Sequence, residues 1–143
     1  MDTYAKTTID ASRERLRRFV EETSDDDLAQ PVQGPWTAAA LLAHTAFWDR
    51  RTAWLIRRCQ QGHCEPSPVD LDSINEPALP QWRLIPPRAA ALEALDAAAD
   101  IDGLLPLLSA EQLATLRRSK VNYDRSGHRN DHLDQIERVL GQA

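Results

Sequence analysis

At 143 residues and a formal net charge of −5, the chain is the length of one domain, long enough to bury a core, and its charge repels a phosphate backbone. No basic run with interleaved aromatics and no stretch of about 18 apolar residues occurs, which argues against nucleic-acid partners and a membrane span. Ala and Leu dominate the apolar content and only 5 residues are Gly, so the expected class is all-α, with one domain over residues 1–143. Asp2, Lys6 and Asp10 stand where a secretory signal would carry its apolar core. A cytoplasmic protein is expected, and therefore free thiols at Cys59 and Cys64 rather than a disulfide.

The first helix is predicted over Thr3 to Thr23, because Ala5, Ile9, Ser12, Leu16, Phe19 and Val20 share one face. Ser24 ahead of Asp25-Asp26-Asp27 is an N-cap with acid in the first turn, so a short helical turn should run through Leu28 and stop near Pro31. Gly34-Pro35-Trp36 reads as a connector. Thr37 then caps a long helix reaching about Gln61, ahead of Gly62. At 100° per residue, Ala40, Leu41, His44, Phe47, Trp48, Leu55 and Cys59 share its apolar face, while Asp49 points away from it. Arg51, seven residues after His44, returns to the stripe. A partly buried arginine paired with a carboxylate is the plainer reading, and a clamp for a substrate anion the sharper one.

Six of the 9 prolines fall between Glu65 and Pro87, which predicts a long crossover in place of a tight turn, with only a short helical approach at Leu71 to Asn75. Pro86-Pro87 opens a third helix with Leu92, Leu95 and Ala99 as its stripe, ending at Gly103. Ser109-Ala110-Glu111-Gln112 is a capping box for a short helix through about Arg118. Ser119 to Ser126 is polar and loop-like, and the last helix carries His128, His132, Ile136, Val139 and Leu140. Four principal helices and one crossover, between the second and third, predict a four-helix bundle.

The chemistry concentrates in histidine, of which there are 4. His128 and His132, four residues apart, stack on one helix face, and His44 sits on a second face that the bundle must bury. Three imidazoles could then share one divalent ion and leave a coordination position open, the pattern of a catalytic rather than a structural site. Burying them without partners would cost on the order of 1–3 kcal/mol each. Cys59, His63 and Cys64 form a thinner rival cluster, with no fourth ligand in view.

The stretch from Trp36-Thr37 through His44 to Asp49, followed by His128-Arg129-Asn130-Asp131-His132, resembles the DinB-like (DinB/YfiT) superfamily of metalloenzymes, and the similarity runs through the whole chain in helix order. The resemblance implies a four-helix bundle holding a divalent metal, zinc or nickel, on His44, His128 and His132. It also implies a role as a thiol-dependent transferase, with a low-molecular-weight thiol such as bacillithiol or mycothiol as co-substrate, or as a hydrolase, acting on a small electrophile. Members without known activity leave a non-catalytic metal-binding or stress-response protein as the alternative. Within this reading Arg51 is the candidate for a substrate anion, Asp72, Asn75 and Asp131 are candidates to orient the imidazoles, the partner is a small molecule, and a homodimer is allowed.

Overall fold

The computed structural model describes residues 1–141. It is all-α apart from one small hairpin, with seven helices among the described residues: α1 (Thr3–Glu22), α2 (Asp25–Leu28), α3 (Ala38–Gln60), α4 (Leu71–Trp82), α5 (Pro87–Leu104), α6 (Ala110–Arg118) and α7 (Ser126–Leu140). The hairpin pairs β1 (Pro31–Gln33) with β2 (Trp36–Thr37). No helix among the described residues is long and apolar enough to cross a membrane.

Capping residues set the helix starts. Ser24, Thr37 and Ser109 each accept a backbone N–H of the first turn, and Ser109 with Gln112 closes the full capping box. The four longest helices contact one another in a ring, α1 against α5 and α7, and α3 against the same two. One apolar cluster gathers Leu16, Phe19, Leu42, Trp82, Leu133 and Ile136. A second, towards the other end of α3, gathers Ile9, Ile56, Ile101, Leu116 and Tyr123.

Three expectations change. The buried face of α5 is Ala90, Ala91, Ala94, Ala97 and Ala98, whereas Leu92 is half exposed and Ala99 lies in solvent. Alanines on α5 meet Ala39, Ala43 and Ala46 of α3. Small side chains let these helices approach closely, which a leucine stripe would prevent. The crossover, expected to hold one short turn, contains α4 of 12 residues, with Pro77 and Pro80 inside it. Those prolines are exposed, and so are Ser73 and Glu76, whose carbonyls lose an intrahelical donor; water can satisfy both. Finally, Cys59 and Cys64 are joined as a disulfide instead of remaining free thiols, so the rival Cys59–His63–Cys64 cluster has no thiolate to offer.

Candidate metal centre

His44 lies on the second turn of α3, and His128 and His132 on the first two turns of α7, two helices that pack together. Their ring nitrogens converge. His44 Nε2 is 3.1 Å from His128 Nε2, and His128 Nε2 is 3.2 Å from His132 Nε2. All three ligand atoms lie within 4.8 Å of one another, the one such group of three or more His, Cys, Asp or Glu among the described residues. A tetrahedral ion about 2.0–2.1 Å from each imidazole nitrogen would space its ligands roughly 3.3 Å apart, so the observed spacing fits a shared cation.

Burial keeps these rings neutral, the state that binds metal. It lowers His44 to about 4, with the neighbouring His132 adding to the effect. It lowers His128 to about 2, helped by the Arg125 charge, and lowers His132 as well. An aromatic wall lies against His44. The rings of Trp36 and Trp82 each sit 5.5 Å from the His44 ring, edge-on.

Hydrogen bonding outside the cluster sets the tautomers. Gln135 Nε2 donates to Gln33 Oε1 at 2.9 Å, which turns Gln135 Oε1 towards His132 Nδ1 at 3.2 Å. His132 therefore carries its proton on Nδ1 and aims the Nε2 lone pair inward. His128 differs. Arg125 Nη2 is 2.9 Å from its Nδ1, and a guanidinium only donates. Without a metal, the His128 proton must sit on Nε2, between the other two nitrogens. To hold a cation at Nε2, His128 would have to carry its proton on Nδ1, and Arg125 Nη2 would have to give up its hydrogen bond there. His44 Nδ1 is buried with no hydrogen-bond partner among the described residues, so none of them fixes its tautomer.

Beneath the imidazoles runs an ionic network that sequence reading missed. Arg129, 1% exposed, donates to Asp49 on α3, Asp102 on α5 and Ser12 on α1. Arg125 donates to the other Asp49 oxygen at 2.9 Å, and Arg13 reaches Asp102 at 2.8 Å. Asp49 does point away from the His44 face, but α3 is buried on that side too.

The other candidates separate. Among the described residues Arg51 meets no carboxylate; it donates to the Ser67 carbonyl and hydroxyl and lies over Trp48. Asn75 accepts from Trp48 Nε1 at 2.9 Å and favours the protonated form of His44. Asp131 is exposed and acts on His132 through its charge. Asp72 is exposed in the first turn of α4, and its carboxylate makes no hydrogen bond among the described residues. Gln33, Trp36 and Gln135 were not anticipated. The hairpin that delivers Gln33 and Trp36 is too short to carry a strand pattern, although Gly34, with φ +54°, marks its turn.

The family model for the DinB superfamily matches residues 8–136. Comparison with curated proteins and with solved structures gives no significant match.

Proposed function

Because the chain belongs to the DinB superfamily, we propose that it is a divalent-metal-dependent enzyme, an S-transferase using a low-molecular-weight thiol or a hydrolase, that acts on a small electrophilic molecule in the cytoplasm. The observation that carries this reading is the convergence of three neutral imidazole nitrogens from two helices. Their all-nitrogen donor set suits zinc or nickel. His44, His128 and His132 would hold the ion, which when bound supplies Lewis acidity towards a thiol or a water.

The protein's own residues do the rest. Gln135, anchored by Gln33, holds the His132 ring in its ligating tautomer. Trp36 and Trp82 exclude water from the His44 side, which strengthens every electrostatic interaction there. Arg51, whose guanidinium has no carboxylate partner among the described residues, receives the anionic group of the substrate. Asn75 steadies Trp48 beneath Arg51.

A turnover screen tests the proposal, using zinc- or nickel-loaded protein, thiol donors and electrophilic acceptors, with His128→Ala as control. Turnover that disappears in the variant supports it. Turnover that survives the substitution refutes the site, and metal-loaded protein with no turnover favours the non-catalytic alternative.

A further inference from the structure

A cavity of about 470 Å³ lies between α3, the start of the crossover and the loop joining α6 to α7. Four of its lining residues are cations: Arg51, Arg118, Lys120 and Arg125. None is an Asp or Glu, although the chain has 22 acidic residues against 17 Lys and Arg. Trp48, Leu55 and Val69 supply apolar walls. The volume is that of an ordinary small-molecule site.

The cations are also free to act. Arg51 is held by Ser67, and Arg118 donates to Thr115. Lys120 forms no ion pair among the described residues. Arg125, at the floor with its side chain 10% exposed, commits Nε to Asp49 and Nη2 to His128, while its Nη1 makes no hydrogen bond among the described residues.

The walls are fixed before any ligand arrives. Ser119 Oγ donates to the Cys64 carbonyl at 2.8 Å, tying the end of α6 to the start of the crossover, which the Cys59–Cys64 bond ties to α3. At that junction Lys120 adopts φ +58°, the one non-glycine with positive φ among the described residues. It occupies the left-handed position of a Schellman motif, in which Lys120 N–H bonds Arg117 O and Val121 N–H bonds Leu116 O. Glycine is the unstrained residue there. A lysine held in that conformation at the mouth of a cationic cavity implies a use for its charge.

We infer that this groove is a binding site for an organic anion, a carboxylate, sulfonate or phosphate carried on an apolar body. The anionic group meets Lys120, Arg118 and Arg51, and the body lies against Trp48, Leu55 and Val69. Arg125 puts the floor of the groove in direct contact with His128. Binding itself needs no metal; only its use as the substrate site rests on the preceding proposal.

The test uses chelator-treated full-length protein and the probe 1-anilinonaphthalene-8-sulfonate, with N-phenyl-1-naphthylamine as the same body without charge. The sulfonate should saturate at one per chain. The double variant Arg118→Glu, Lys120→Glu, at two exposed positions, should weaken it by roughly tenfold or more while binding of the neutral analogue barely changes. Octanoate and octyl phosphate then compete for the site, and the better competitor identifies the preferred headgroup. Equal binding by the double variant, equal affinity for the neutral analogue, or no displacement by either competitor would overturn the inference. A chain that binds the probe yet takes up no metal would refute the metal reading alone.

Discussion

Two buried polar clusters share α3 and α7 and meet the cost of burial in opposite ways. In the network of Arg125, Arg129, Asp49 and Asp102, opposite charges face one another. Asp49 is fully buried, yet each of its oxygens accepts from a different guanidinium. Among the described residues, Arg129 Nε is buried without a partner. In the histidine cluster nothing opposite in charge is present. Three neutral rings aim nitrogens at one another, one proton lies between them, and His44 Nδ1 has no hydrogen-bond partner among the described residues. The first cluster balances its charges within the chain and ties α1, α3, α5 and the start of α7 together; the second has the donor set of a cation site. Adjacent polar residues on one helix, His128 and Arg129, thus belong to different clusters.

The largest effect should come from breaking the closed cluster. Asp49→Ala leaves two buried guanidiniums uncompensated and should cost about 3–5 kcal/mol in urea unfolding. His44→Ala, measured without metal, should cost less, since it leaves no buried charge uncompensated. A similar loss in both variants would erase the distinction between the clusters.

Removing the support of the open cluster should give a smaller change, confined to the metal. Gln135→Leu frees the His132 ring and should weaken zinc binding by roughly 10–100-fold, read by competition with a chromogenic chelator. Gln135→Glu, which keeps an acceptor at the same reach, should restore most of it. A leucine variant with unchanged affinity would mean that packing alone orients His132.

Acid should reveal the neutral rings through a gentler slope. His44 and His128 sit at about 4 and about 2 in the fold, against about 6.5 when unfolded. Between those values the unfolded chain binds more protons. Stability is therefore complete above about pH 6.5 and falls as the pH drops, by up to about 1.4 kcal/mol per pH unit for each imidazole. Urea midpoints of chelator-treated protein at pH 7, 6 and 5 should show the decline, and the His44→Phe variant a shallower one. A flat profile would mean that the rings protonate freely in the fold.

Short-range signals made much of this legible. Ser24, Thr37 and Ser109 start helices where capping chemistry put them, because an N-cap is a contact across three residues. The meeting of His44 with His128 and His132 followed from two helical faces and the superfamily resemblance. The buried face of α5 was misread because hydropathy weights leucine over alanine, whereas close packing of α3 on α5 selects alanine. The Asp49–Arg129–Asp102 network was invisible because its members lie 27 and 80 residues apart, and each alone looks like a residue of a solvated face. Arg51 shows the limit on the functional side. Its stripe position was evident, but the cations that join it around the cavity come from the α6–α7 junction and the following loop, whose placement depends on the Schellman turn at Lys120 and the bond from Ser119 to Cys64.

Metal stoichiometry tests the central claim most directly. Purified protein incubated with zinc or nickel, freed of excess ion and measured by elemental analysis should carry one divalent ion per chain, and His128→Ala should carry none. A wild-type chain that retains no ion, or a His128→Ala chain that retains a full complement, would contradict the account.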